Sequence, residues 1–589
     1  MLIRYVPVMN IDAKGIKSIH KLALTIALVI CLALLVQSAK GDFPPISTFD
    51  PGRIKEYTPE EEPRNLNKPR EILEQPKSSL PKPQKNASAV KFKLSNLVVS
   101  GVTVYKKGEL LRYYKSYLGK DISLSDLQVI ADAITEHYRG QGYVLSRAVV
   151  PAQQIIAGKV YIQVIEGYVN AVYVVGDMSK MRAKIEKYGE KIKQMRPLQV
   201  RKLERYILLL NDIPGLTIKT VLSPAVATVG ASELTFVVEQ RRIIVDAYYD
   251  NRGSRYLGPD EVVASASFAD AVLAADNLLL QTIDTPIHDE LRYLKLGYSC
   301  PLGMSGLRVN ANGSLTETHP GFTIESLGLI GRSKDWIMGV EYPLMRTRTK
   351  KLLVYGKFEL MDSYTNFPGV KMLYQDHIRS VRFGASYDFQ DQWVGDNILS
   401  LDFSKGLHGL GASPLNPQTP LSRPYGRSDY SKVDASVTRY QALGSRWMLL
   451  SSTTGQYSFR NILLSAEQFS FGGPQFGRAY DPSEIIGDSG IASKLELRAN
   501  TYPEKRFLQQ IQYYSFYEIG ATWNVSPDMA QPNKDSGTDL GAGLRATFNK
   551  YFYGNLEIAK PLTRPVATQV ASGKNGKAWR MYFSLGAKL

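Results

Sequence analysis

From Arg241 to Leu589 apolar and polar residues alternate in segments of about ten, separated by clusters of turn-forming residues. Alternation places successive side chains on opposite faces of a strand. A long series of such segments is the pattern of a transmembrane β-barrel. The segments run Arg242 to Asn251, Glu261 to Phe268, Asn277 to Thr282, Leu291 to Tyr298, Gly306 to Leu315, Trp336 to Tyr342, Lys351 to Leu360 and Ser380 to Phe389. They continue with Ile398 to Phe403, Lys432 to Tyr440, Trp447 to Tyr457, Lys494 to Asn500, Gln510 to Thr522, Leu540 to Phe548, Tyr553 to Ile558 and Trp579 to Ala587. That makes sixteen strands. Tyr and Trp at their ends suit interfacial belts.

Upstream the period changes. A β run, Lys93-Leu-Ser-Asn-Leu-Val-Val-Ser-Gly-Val-Thr-Val-Tyr105, precedes a predicted helix over Lys107 to Leu118. Ser123-Leu-Ser-Asp126 then offers N-cap residues ahead of Leu127, Ile130, Ala131, Ile134 and Tyr138, an apolar stripe at helical spacing. Gly140-Gln-Gly142 stops that helix, and strands follow at Val144 to Val149 and Lys159 to Glu166. The same β-α-α-β-β order then repeats. Its strands are Val169 to Val175, Leu216 to Leu222 and Glu233 to Glu239, with helices at Lys180 to Tyr188 and Arg201 to Asn211. Asp212-Ile-Pro-Gly215 ends the last helix, because the residue before proline avoids the α region. Two small α+β domains, 92–168 and 169–240, thus stand before a barrel over 241–589. Their exposed sheet edges could take up an unfolded strand by backbone hydrogen bonding.

The N-terminus has Arg4, Lys14, Lys17 and Lys21, then an apolar run from Leu22 to Val36, then Gln37-Ser-Ala-Lys-Gly41. Those three regions match a secretory signal over residues 1–39, with cleavage near Ala39. The apolar run falls short of the ~20 residues that span a bilayer. Nine prolines between Pro44 and Pro83 leave no room for long regular structure, so 40–91 reads as an extended linker. A short plug helix would fit there only over Arg64 to Gln75.

Composition narrows the function. At 589 residues with 44% hydrophobic content, the chain needs several modules and is too polar for a helical membrane protein. Removing the signal takes away four cations, Asp12 and Cys31, so net charge falls from +17 to +14 and Cys300 is left alone. No intrachain disulfide can form, and a closed barrel, with every strand edge paired, is the remaining source of stability. The basic balance comes with no zinc-ligand spacing, basic helix or RNA module, which argues against nucleic acid. Six histidines lack metal-ligand spacing, and no nucleophile elbow or phosphate loop is present. The chain reads as a non-enzyme that needs no cofactor and no metal.

One stretch breaks both periods. Phe471 to Gly490 holds five glycines and two prolines, with Arg478 and Tyr480 as large side chains among small ones, and reads as neither strand nor helix. A loop this long within a strand-rich region is more often functional than connecting. Its Gly477-Arg478-Ala479-Tyr480-Asp481 resembles the Val-Arg-Gly-Tyr/Phe motif of the two-partner secretion transporters, the ShlB/FhaC/HecB family. Gly142-Tyr143 with Ile165-Glu-Gly167 resembles the first POTRA domain of that family, and Asn211-Asp-Ile-Pro-Gly215 its second.

The resemblance implies a signal peptide, two periplasmic POTRA domains and a sixteen-stranded antiparallel barrel. It implies a loop folded into the lumen, its arginine paired with an acid on a Phe-x-Asp strand. Phe516-Tyr-Glu518-Ile-Gly520 matches that strand, with Glu518 at the Asp position and Ala479 replacing a glycine. Phe516, Glu518 and Gly520 share one face, and a guanidinium can hold a carboxylate bidentately. The C-terminal Tyr582, Phe583, Leu585 and Leu589 resemble the signal by which barrels are inserted, with Leu589 in place of the usual Phe. The implied protein is an outer-membrane pore that passes one large β-helical exoprotein of adhesin, haemolysin or haem-binding type, in unfolded form. The surfaces of 92–240 would recruit that client's N-terminal secretion domain. Implied partners are also outer-membrane lipid and lipopolysaccharide, with the barrel-assembly machinery and periplasmic chaperones acting during biogenesis. The pore is expected to be a monomer. A barrel-assembly insertase and a passive porin are the alternatives.

Overall fold

The computed structural model describes residues 48–54 and 91–589, apart from positions 107, 177, 179, 226–227, 288, 369, 415–418 and 526–531. The expected signal peptide and the plug helix over Arg64 to Gln75 lie outside the described residues.

The first α+β unit contains β1 (Lys91–Lys93), β2 (Asn96–Ser100), β3 (Asp121–Ser123), α1 (Leu124–Gly140), β4 (Arg147–Val149) and β5 (Lys159–Ile165). Helix α1 starts at Ser123, whose side chain accepts from the Asp126 N–H while the Asp126 carboxylate accepts from the Ser123 N–H, a capping box. That backbone donor holds the Asp126 carboxyl below its usual range. The predicted helix over Lys107 to Leu118 is instead two short 3₁₀ turns, Glu109–Tyr113 and Lys115–Tyr117. Gly108 enters them at φ 95°, outside the helical region, and Tyr114 leaves the helical region between them at φ −132°. Strand β5 is central, parallel to β2 and antiparallel to β4.

The second unit repeats this plan with β6 (Tyr168–Val175), α2 (Met181–Lys193), α3 (Val200–Asn211), β7 (Leu216–Pro224) and β8 (Ala231–Gln240). Strand β8 is central, parallel to β6 and antiparallel to β7. The apolar stripes of α2 and α3 pack Ile185, Ile192, Leu203 and Ile207 onto Leu234 and Phe236 of the sheet. The Val200 N–H donates to the Gly142 carbonyl at 2.9 Å and the Leu198 N–H to that of Gly167 at 2.8 Å, joining the two units.

The barrel comprises β9 (Ile243–Asp250), β10 (Glu261–Ala269), β11 (Asn277–Asp284), β12 (Leu291–Leu302), β13 (Leu307–Thr318), β14 (Ile330–Arg346), β15 (Lys350–Phe367), β16 (Val370–Gln390), β17 (Gly395–Gly406), β18 (Ser431–Leu443) and β19 (Trp447–Tyr457). Inside the loop after β19, β20 (Phe469–Phe471) pairs with β21 (Ile485–Gly487). The barrel resumes with β22 (Ser489–Thr501), β23 (Gln510–Trp523), β24 (Lys534–Thr547), β25 (Phe552–Pro561) and β26 (Arg580–Lys588), and β26 pairs with β9 to close it. All sixteen expected strands are present and antiparallel. Their apolar alternate residues, such as Trp336, Met338, Val340, Leu401 and Phe403, face outward and are exposed. The stretch over Phe471 to Gly490 is not wholly irregular: Ile485–Gly487 and Phe469–Phe471 form a two-stranded ribbon, and because most of its residues are buried its backbone groups need partners.

The second unit sits against the short turns at one end of the barrel. Arg346 grips Asp212 with Nε at 2.7 Å and Nη2 at 2.8 Å, Arg348 lies 2.7 Å from Glu204, and Arg205 donates to the Pro343 carbonyl at 2.9 Å. At the opposite end of the lumen lies a piece of the predicted linker. Thr48 to Gly52 is buried, with Asp50 accepting from the Gly52 N–H at 2.9 Å and from Ser363 on β15 at 3.3 Å. Phe49 packs with Tyr256, Ile324 and Leu329, and Arg53 donates to the carbonyls of Ser465 and Gln468 at the start of the long loop. Prolines and glycines there read as linker because only tertiary partners bury them.

Candidate functional site

The loop between β19 and β22 folds into the barrel. Its base is held by Asp488, which accepts from Arg423, from the Leu463 N–H at 2.9 Å and from the Val525 N–H at 2.9 Å. Nearby, Glu467 meets Arg382 at 2.6 Å and Lys432 at 2.9 Å. These contacts turn the loop inward against the wall formed by β22 to β26.

At the tip the backbone does as much as the side chain. The N–H groups of Gly477 and Arg478 both donate to Glu518 Oε2, at 2.7 and 2.9 Å, and Arg478 Nε donates to Glu518 Oε1 at 2.8 Å. This packing requires glycine at 477: φ is +80°, and a Cβ there would meet the Gly472 nitrogen and the Phe471 ring at 2.8 Å. The Ala479 N–H donates to Asp539 on β24 at 2.6 Å. Ala479 is not in the left-handed region, so alanine fits where the family motif has glycine. The Tyr480 hydroxyl donates to the Thr538 carbonyl at 3.0 Å, and Asp481 accepts from Arg580 at 2.6 Å and from Thr568.

The arginine has more than one acid. Arg478 Nη2 lies 2.8 Å from Glu496 on β22, and Nη1 donates to Glu557 on β25 at 3.2 Å. The guanidinium also lies over Phe516, 3.5 Å from the ring centroid. Its side chain is 5% exposed and those of Glu496, Glu518 and Glu557 no more than 1%. Three buried carboxylates around one guanidinium would repel one another, and other cations balance them. Arg498 and Arg545 reach Glu496 at 2.7 and 2.9 Å, and Arg252 reaches Glu557 at 3.0 Å.

Gly520 faces the lumen with Phe516 and Glu518, and a Cβ on it would lie 2.2 Å from the Phe471 ring. It leaves space for the loop to dock. Gly537 and Gly541 on β24 extend that shallow strip beneath Tyr480 and Phe516. The structure therefore brings Gly477, Arg478, Ala479, Tyr480 and Asp481 together with Phe516, Glu518 and Gly520. The C-terminal set divides between faces. Phe583, Leu585 and Leu589 are exposed, whereas Tyr582 points inward, buried between Arg252 and Arg580. Sequence reasoning missed Glu496, Glu557, Asp539 and Arg580. Lys494-Leu-Glu-Leu-Arg498 and Asn555-Leu-Glu-Ile-Ala559 held the signal, because a carboxylate flanked by apolar residues in an alternating strand marks the lumen side.

The model of the haemolysin secretion/activation proteins ShlB/FhaC/HecB matches residues 230–545, and that of the ShlB-type POTRA domain matches 92–167. The chain belongs to the ShlB/FhaC/HecB family. Among curated proteins it is 22% identical over 459 residues to the heme/hemopexin transporter protein HuxB of Haemophilus influenzae strain 86-028NP, covering 77% of this chain and 80% of that protein. It is 23% identical over 422 residues to the outer membrane transporter CdiB of Escherichia coli O6:K15:H31, covering 69% and 68%. Among solved structures, CdiB from Escherichia coli superposes with a TM-score of 0.70 at 19% identity, covering 87% of this chain and 93% of that one, a likeness of fold. The protein is an outer-membrane pore of two-partner secretion. Its POTRA region faces the periplasm, so the end of the barrel that carries the α+β units is the periplasmic end.

Proposed function

We propose that this transporter moves one large, β-rich exoprotein in unfolded form, and that the Arg478 loop is the fixed luminal element past which the client travels. The observation that carries this reading is the seating of Arg478 among Glu496, Glu518 and Glu557, which ties a loop to three separate strands. Such an anchor suits a part that must hold its place while another chain slides by. The client's N-terminal secretion domain would be recruited by residues 92–240, where β2 and β4 of the first unit and β6 and β7 of the second leave sheet edges unpaired among the described residues. An extended segment can add to such an edge through main-chain hydrogen bonds. The pore works by binding and by the folding of its client outside, not by catalysis. The client belongs to the adhesin, haemolysin or haem-binding class, and the pore acts as a monomer with lipid, assembly machinery and chaperones as its partners in biogenesis.

The test is to titrate residues 91–240, expressed alone and checked for fold by circular dichroism, with the client's N-terminal segment held unfolded. Saturable binding is expected. A folded fragment that binds nothing would remove recruitment from these units.

A further inference from the structure

Lys and Arg outnumber Asp and Glu at two places along the pathway open to a client. Residues 91–240 contain twenty-one Lys and Arg against thirteen Asp and Glu, a net of +8. Five of those cations gather where the two units meet. Arg139 ends α1, whose following turn gives the Gly142 carbonyl that accepts from Val200; Arg201 and Lys202 come directly after Val200. Arg147 opens β4 opposite Ile165, and Arg196 lies two residues before Leu198, which bonds Gly167. All five are exposed. Arg139 meets Glu136 at 2.9 Å and Arg196 lies over the Tyr168 ring at 4.0 Å, while Arg147, Arg196, Arg201 and Lys202 have no ion-pair partner among the described residues. A patch that stays unneutralised attracts a partner of opposite sign.

The second place is inside the barrel. Between Arg478 and the periplasmic rim lies a cavity of about 890 Å³ whose lining carries seven Lys and Arg but only three carboxylates, Asp246, Asp250 and Glu557. Arg252 is taken up by Glu557, and Arg478 by the acids around it. Arg545 is shared with Glu496, which lies behind the lining. Lys550 and Lys588 are exposed at the rim, and Lys550 rests against the Tyr551 ring. Low-dielectric walls focus such a field into the lumen.

We infer that the transporter selects an acidic client segment: a stretch rich in Asp and Glu is captured at the joint between the two POTRA units and then drawn into the cationic chamber beneath Arg478. The inference rests on the two-partner reading and names the chemistry of what is first bound. Strand addition contributes affinity with little regard to sequence, and charge supplies the selection and speeds encounter.

The test uses the full-length protein in lipid nanodiscs and three unstructured Gly/Ser peptides, with Glu, Gln or Lys at the same positions. By fluorescence anisotropy the Glu peptide should bind at least about tenfold more tightly than the Lys peptide at low salt, an advantage that shrinks as salt screens it. Arg196→Glu/Arg201→Glu/Lys202→Glu should abolish that advantage. In planar bilayers under a salt gradient the reversal potential should show anion preference, and Lys550→Glu/Lys588→Glu should move it toward cations. Equal affinity for the three peptides, or a preference that survives the triple reversal, would overturn the proposal. So would a patch that retains anionic phosphatidylglycerol vesicles but not the Glu peptide, since that assigns it to membrane contact. Secretion of the natural client is measured in parallel. If secretion proceeds without charge preference, only the acidic-segment proposal fails; if the unaltered protein secretes nothing, the two-partner reading fails.

Discussion

Replacing Arg478 by Ala removes the one side chain that joins Glu496, Glu518 and Glu557, and its cost can be worked from the geometry. Breaking a buried ion pair by deleting one partner costs about 3–5 kcal/mol, because the other partner is left uncompensated. Here Arg498 and Arg545 still reach Glu496, and Arg252 still reaches Glu557. Glu518 loses the guanidinium but keeps the Gly477 and residue-478 N–H donors. The lower end of that range, about 3 kcal/mol, is therefore expected, equivalent to a roughly hundredfold shift from a seated to a displaced tip. The barrel itself should assemble, since its strand ladder does not involve this side chain. Client secreted per assembled transporter, with heat-modifiable gel mobility reporting assembly, should fall steeply. Arg478→Lys should rescue only in part, because a single ammonium cannot present three separate nitrogens in a fixed plane. Glu518→Gln should give a weaker defect, its amide oxygen still accepting from the loop backbone, and the double mutant should be no worse than Arg478→Ala alone. Normal secretion by Arg478→Ala at normal abundance would refute the mechanism. Strictly multiplicative defects would assign Arg478 and Glu518 to separate roles.

Three further outcomes are expected. Deleting residues 48–54 removes the buried segment that touches β13, β14, β15 and the loop at Ser465, so bilayer conductance should rise while the barrel still forms; unchanged conductance would mean that the segment obstructs nothing. Gly520→Val puts a side chain where the Phe471 ring lies and should impair secretion, with Phe471→Ala restoring part of it; absence of any rescue would argue that the glycine serves strand geometry rather than docking. Arg346→Ala breaks the two-pronged contact to Asp212, and hydrogen exchange around Asn211–Gly215 should accelerate in keeping with a loss of about 1–3 kcal/mol; unaltered exchange would show that Arg348 and Arg205 suffice.

The barrel was legible where one strand face meets lipid and the other meets water. Trp447 to Tyr457 matches its predicted bounds. In β14 the predicted start, Trp336, falls six residues after the observed one, Ile330. Arg332 and Lys334 face outward there, and Ser333 and Asp335 inward, so both faces are polar and the period-2 contrast vanishes. The helix expected over Lys107 to Leu118 failed for a local reason, Gly108 in a left-handed conformation at its start. In the site, Arg478 and Glu518 were legible through motif and parity. Glu496, Glu557 and Asp539 were not, because strand parity says which way a carboxylate points but not where a distant loop will set its cation.

The distribution of the loop's partners bears on when it can seat. Glu496 lies on β22, Glu518 on β23, Asp539 on β24, Glu557 on β25, and Arg580, which holds Asp481, on β26. No two neighbouring strands present the whole set, so the tip reads the curvature and register of five consecutive strands at once. A one-residue slip in any of them would turn its acid or base to the outer face. The loop therefore gains its full anchor only after that wall has paired correctly, and the ordering cost of a long luminal loop is met by contacts that exist only in the assembled barrel. Since β26 also pairs with β9 to close the cylinder, the Arg580–Asp481 contact joins the seated loop to the closing strand. In this arrangement the loop follows barrel formation instead of directing it, and a defect at Arg478 should appear in secretion before it appears in assembly.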